Sequence, residues 1–187
     1  MNWDCPLTVT IDGEEFEIEG NCDYRVILDC LAVYEDSSLD ILTQHQTALI
    51  FFYKKPKKIK NFEEAVKQML RVIDCQYAEI ETTSQQTTYS PRIMSWKKDF
   101  KHIAPAVSRI LGYEIRTPNT YTHWWTFMGA FQEIGESVWS TIISIRRKLM
   151  HGQNLEDWER KIYESNKNDI DLPFEITYDV EEWLNSD

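Results

Sequence analysis

Four histidines, four cysteines and three pairs of adjacent glutamates are the residues of this chain best equipped for chemistry, and their spacing argues against it. His45, His102, His123 and His151 are dispersed, and no GxSxG elbow, HExxH pair or Cys-His signature accompanies them. A general acid/base pair needs burial to raise one pKa, yet Glu14-Glu15, Glu63-Glu64 and Glu181-Glu182 all sit in polar, charged sequence that predicts solvation. Six glycines in 187 residues leave little material for a phosphate cradle, and neither a GxGxxG run nor a P-loop occurs. Cys5, Cys22, Cys30 and Cys75 show no CxxC spacing and no nearby histidine at zinc-ligand distance. They read as structural thiols in a reducing compartment, Cys30 acting as a small hydrophobe on the apolar side of a helix. The expectation is a protein that is not an enzyme, with no cofactor and no metal site.

Two other segments stand out. Lys54 to Lys60 holds five lysines in seven residues around Pro56. Without interleaved aromatics or arginines it lacks stacking and bidentate partners for nucleic acid, so it reads as a solvated turn or as a contact for an acidic partner surface. The run Tyr121-Thr122-His123-Trp124-Trp125-Thr126-Phe127 is the most aromatic in the chain. Adjacent tryptophans on a helix point about 100° apart and cannot both face the same way, so each reads as tightly packed core or as an anchor for a partner. Trp124, Trp125, Phe131 and Trp139 are the candidates for an apolar contact or the core beneath it. Arg146, Arg147 and Lys148 are the candidates for charged contacts, including one with the acidic end of a neighbouring copy.

The elements that would position these residues are mostly helical. Leu7 to Ile11 alternates, Asp12-Gly13 is a two-residue hairpin turn, and Phe16 and Ile18 resume the alternation. A helix with Asp23 at its start follows through Tyr34, then one from about Leu39 to Tyr53 with Ser37 and Ser38 before it. Asn61-Phe62-Glu63-Glu64 has the form of a capping box and opens a third helix ending near Cys75. Residues 76–93 are polar, rich in Thr and Gln, and lack helical period, which marks a linker. Ser95 is placed to cap a helix that Pro105 should kink or split and that Gly112 stops. Further helices run from about Tyr121 to Ile134, over Val138 to Leu149, and after Asn154 through Trp158 and Ile162. The predicted architecture is mostly α: a hairpin with three helices over 1–75, the linker, a Trp-rich helical half over 94–168, and an acidic tail over 169–187, with about seven helices in all and no internal repeat.

The charge is uneven. Residues 1–40 carry eleven acids and one base, 41–160 twelve acids and seventeen bases, and the remainder returns to acidic, for a net −11. That polarity suits either head-to-tail self-association or neutralisation within one chain, and the net charge disfavours binding to nucleic acid. An aromatic content of 13% argues against wholesale disorder. The longest apolar runs fall short of a membrane span, and Met1 to Pro6 lack the basic cluster and apolar stretch of an export signal, so no membrane partner is expected.

A resemblance joins these segments. Ile11-Asp12-Gly13, Asp23-Tyr24-Arg25 and Phe62-Glu63-Glu64-Ala65 are similar to the front of a phage tail protein family. Leu111-Gly112-Tyr113-Glu114-Ile115, His123-Trp124-Trp125-Thr126-Phe127 and Ile142-Ile143-Ser144-Ile145-Arg146 are similar to its back, in the same order over roughly residues 8–165. The chain thus resembles the bacteriophage gene-product-fifteen family of long-tailed phages and prophages. The resemblance implies a tail assembly chaperone that binds the tape measure protein, multimerises on it, recruits tail tube subunits and leaves the finished tail, in the cytoplasm of the infected or lysogenic host. A retained tail or head-completion protein and a host-directed interaction protein are the competing readings. Lys97-Lys98-Asp99-Phe100 stands where family members often have an acidic-aromatic start to the second half, and residues 76–93 match no family motif.

Overall fold

A computed structural model describes residues 4–76 and 93–172. Most of the linker expected over 76–93, and the tail beyond residue 172, lie outside the described residues. The described chain divides into two compact units, one of 4–76 with Thr122–Trp125 and one of 93–121 with 126–172. The Trp-Trp segment therefore belongs with the N-terminal half rather than with the C-terminal half in which the sequence placed it.

In the first unit, β1 (Thr8–Ile11) and β2 (Glu14–Glu17) pair antiparallel, with Val9 opposite Phe16 and Ile11 opposite Glu14. Asp12 and Gly13 make the turn at φ 51° and 80°, the left-handed values that match strand twist in a two-residue hairpin. Alternation then places Val9, Ile11, Phe16 and Ile18 in the core. Helix α1 (Tyr24–Tyr34) starts at Asp23, whose carboxylate accepts from Arg25 N, and α2 (Ile41–Phe52) starts at Asp40, which accepts from Thr43 N. Asp40, not Ser37 or Ser38, makes the second cap, because its carboxylate is the group one residue before the first helical turn. Buried Cys30 and Ala48 bring α1 against α2, with Tyr34 Oη 2.8 Å from His45 Nδ1. Tyr53 closes α2, bridges to Ile18, and donates its hydroxyl to Ala65 O at 2.8 Å, tying the hairpin to α3 (Phe62–Ile73). Asn61 caps α3 as expected, accepting from Glu64 N. The Glu64 carboxylate accepts instead from Gln68 Nε2 at 2.6 Å, one turn along the same helix.

The second unit holds α4 (Trp96–Leu111), most of α5 (Trp124–Gln132), α6 (Val138–Met150), α7 (Asp157–Ser165) and α8 (Lys167–Ile170). Ser95 caps α4 and Gly112 ends it at φ 77°. Pro105 neither splits nor ends α4: Ala104 and Ala106 beside it are buried, while Pro105 and Lys101 are exposed. The carbonyl deprived of its donor by Pro105 is that of Lys101, on the side that water can reach, so the loss is small against burial of the opposite face. Ser137 and Ser140 form a reciprocal cap for α6, and Glu156 with Glu159, rather than Asn154, caps α7. Ile142, Ile145 and Ile170 make a core cluster covered by Leu155, Ile162 and Tyr163. Residues 169–172 are thus not the start of a tail: Ile170 is fully buried in α8. Across the described residues the architecture is mostly helical with an N-terminal two-stranded hairpin and eight α-helices.

Candidate functional site

Each unit is organised around one of the segments singled out in sequence. In the first unit, Thr122 to Trp124 lies antiparallel to Cys22 to Tyr24: Tyr24 N donates to Thr122 O at 2.9 Å and Trp124 N to Cys22 O at 2.8 Å. Asp23 completes the join, since one carboxylate oxygen accepts from Thr122 N at 3.1 Å while the other accepts from Arg25 N. The two indoles then reach the same helix end. Trp124 Nε1 donates to Ile73 O, which no backbone N–H among the described residues serves, and Trp125 Nε1 to Val72 O, which also accepts from Cys75 N, both indole bonds at 2.8 Å at the C-terminus of α3. Trp124 is 1% exposed and Trp125 half-buried. The pair is therefore spent on closing α3, and the 100° offset between the rings is what lets them meet successive carbonyls.

His123, next to the pair, accepts and donates within the fold. Trp125 N donates to its Nδ1 at 3.0 Å, so the ring proton resides on Nε2, which lies 3.0 Å from Pro6 O. Burial, the largest influence, holds its pKa below the ordinary 6.5, and burial lowers His45 likewise. The unfolded chain then takes up protons on these rings at a higher pH than the folded chain. Stability is expected to be level above about pH 6.5 and to fall as pH drops from there toward the lowered folded values. Thermal melts between pH 8 and 5 check this; a melting temperature that does not change over that interval contradicts it.

In the second unit, Arg146 is the anchor. Its guanidinium makes a bidentate pair with Asp99, Nη1 to Oδ2 at 2.6 Å and Nη2 to Oδ1 at 2.8 Å. Nε donates to Ile170 O, Nη1 also to Ile93 O, and Nη2 also to Asp169 O. A guanidinium has five N–H donors, and here all five are used. Asp99 Oδ2 additionally accepts from Ser95 N at 2.9 Å. With side chains 6% and 1% exposed, the pair is buried. Arg146 is thus corrected from a surface contact to an internal clamp joining α4, α6 and α8. Lys148 is held within the chain too, donating to both oxygens of buried Glu159 at 2.7 and 2.6 Å and keeping that carboxyl below the usual range. Arg147, the third of the basic run, is exposed.

Phe131 and Trp139 are half-buried, and Phe131 contacts both Trp96 and Trp139 with tilted rings, centroids 5.1 Å apart at 44° for Trp96–Phe131 and 4.9 Å at 57° for Phe131–Trp139. The Trp139 indole Nε1 is buried with no hydrogen-bond acceptor. Val138 and Trp158 are 64% and 55% exposed. Sequence reasoning missed Asp99 and Glu159. Their signal was an acid in register with apolar residues: Asp99 precedes buried Ile103 by one turn, and Glu159 precedes Ile162.

Nucleophile chemistry finds no support among the four thiols, all free, with Cys22 and Cys30 pushed up to about 12 by burial. Among the described residues no group of His, Cys, Asp and Glu could hold a metal ion, and no helix is long and apolar enough to cross a membrane.

The order of motifs from the hairpin turn to the Ile-Arg helix thus corresponds to a defined scaffold, with a Trp pair closing one unit and a buried Arg clamp closing the other. The chain belongs to the family described as Bacteriophage Gp15 protein, whose model matches residues 2–172. It is accordingly a phage-associated protein. No curated protein and no solved structure matches it.

Proposed function

We propose that this protein is a non-enzymatic tail assembly chaperone that binds the phage tape measure protein and multimerises during tail assembly, in the cytoplasm of the infected or lysogenic host cell. Family membership supplies the phage setting. The observation that carries the reading further is the aromatic row Trp96–Phe131–Trp139, which is half-buried and ends in an indole N–H with no acceptor. A buried donor left unmade costs on the order of 1–3 kcal/mol, a cost recovered if the half-buried ring turns outward onto a partner's backbone carbonyl. A tape measure is long and apolar-faced, and a helical protein offering aromatic contacts would shield such a segment from aggregation. Arg147 supplies an exposed charge about two turns further along α6. The net charge of −11 favours solubility of the loaded complex.

Co-expression with the cognate tape measure protein is the test. The tape measure is expected to become soluble and to co-purify, and Trp139→Ala to lower recovery about tenfold, the effect of one strong contact residue. A tape measure that stays insoluble and unbound beside folded partner sinks the reading. Fixed copy number in purified virions would replace it with a structural role.

A further inference from the structure

The end of α2 carries a surface that neither unit's core nor the aromatic row uses. Ile50 is 64% exposed, Phe51 43% and Leu42 42%. With about 3.6 residues per turn, Leu42, Gln46 and Ile50 fall along one line of the helix, with Phe51 beside its end. The basic loop follows at once. Lys54 is paired with Glu17 at 2.6 Å, but Lys55, Lys57, Lys58 and Lys60 are exposed and make no ion pair with another described residue. An apolar line running into four exposed lysines fits a segment that is apolar on one side and acidic on the other.

The chain contains one such segment. Phe174-Glu175-Ile176-Thr177-Tyr178-Asp179-Val180-Glu181 alternates strictly, up to Glu182, which breaks the pattern ahead of Trp183 and Leu184. When extended, a period of two puts Phe174, Ile176, Tyr178 and Val180 on one side and the carboxylates on the other. Residues 174–187 hold five acids and no base. The other edge open to an alternating segment is the hairpin, and its Glu14, Glu15 and Glu17, with Glu19 beyond, would repel those carboxylates. Charge selects the α2 face.

We propose that residues 174–187 dock across the exposed face of α2 of the same chain, with their apolar side chains on Leu42, Ile50 and Phe51 and their carboxylates on the lysines of 55–60. Tethering favours the contact within one chain, since a covalently linked segment competes at an effective concentration on the order of millimolar. The contact covers an apolar patch that would otherwise invite association and neutralises the acidic end against the basic middle. It stands independently of the tail-assembly reading.

Zero-length carbodiimide coupling of the full chain tests it, because the reagent joins a lysine to a carboxylate only where the two are in ion-pair contact. Peptide mapping of the monomer fraction is expected to show Lys55, Lys57, Lys58 or Lys60 joined to Glu175, Asp179 or Glu181. Those links should be lost in Lys57→Glu/Lys58→Glu and also in Ile50→Ser/Phe51→Ser. All four positions are exposed, so circular dichroism and melting temperature should match the parent. Lysines of this loop joined to hairpin acids instead, links found only in a dimer fraction, or links indifferent to the apolar double variant would each overturn the proposal.

Discussion

Arg146→Ala is expected to destabilise the second unit by about 3–5 kcal/mol, the largest effect of any single substitution in it. The magnitude comes less from losing attraction than from what is left behind. Asp99 would remain 1% exposed with a full charge and only Ser95 N still donating to it. The carbonyls of Ile93, Asp169 and Ile170 would lose their guanidinium donors at the same time. Arg146→Lys should recover little of this, since one ammonium with three donors cannot replace a planar fork that meets five acceptors. Asp99→Asn is expected to be milder, because the amide keeps one acceptor and the shape while the charge pair is lost. Urea unfolding followed by hydrogen exchange in α4 and α6 measures these changes unit by unit. In a double-mutant cycle, Asp99→Ala/Arg146→Ala should lose less than the sum of its parents, yet stay below wild type because the three carbonyls are still unserved. Strict additivity would mean that the two side chains do not act as a pair.

Much of the secondary structure was legible because local rules and burial agree. The Asp12-Gly13 turn, the Asp23, Asn61 and Ser95 caps and the Gly112 stop are each decided by one or two residues whose chemistry has few alternatives. Pro105 was misread because its local penalty is real, and only the three-dimensional placement of Lys101 on an exposed face shows it to be affordable. The candidate site was harder. A run such as Arg146-Arg147-Lys148 looks uniform in one dimension, but successive residues on a helix point about 100° apart. Arg146 follows buried Ile142 and Ile143 by four and three positions and so points inward, while Arg147 points out. Its partner Asp99 lies 47 residues away, and no local pattern pairs them. The same holds for Trp124, whose acceptor on Ile73 is 51 residues distant. Helix faces can be read from sequence; which face meets which cannot.

That distinction decides how variants of the tryptophan pair should behave. Trp124→Ala is expected to cost the first unit about 3–5 kcal/mol, the usual range for removing a buried large aromatic. It empties a space lined by the core and strips the indole donor from Ile73 O, which keeps the Cys75 thiol at 3.9 Å, a weak donor at best. Trp124→Phe retains most of the volume and should cost on the order of 1–3 kcal/mol, the price of a buried acceptor left short. Trp125→Phe should cost less than Trp124→Phe, because Val72 O still accepts from Cys75 N at 3.2 Å and the ring is only half-buried. Far-UV circular dichroism in urea ranks the three variants, and hydrogen exchange at the end of α3 locates the loss. The ranking bears directly on partner binding. If Trp124→Ala abolishes recovery of the tape measure protein and also unfolds the first unit, the loss reports a broken framework and says nothing about a contact. If Trp124→Ala is as stable as its parent and still loses the partner, Trp124 is a contact residue and the anchoring of α3 by the paired indoles is wrong. Trp125→Phe, with its fold intact and recovery unchanged, would leave Trp139 and Arg147 in the second unit as the residues on which binding should depend.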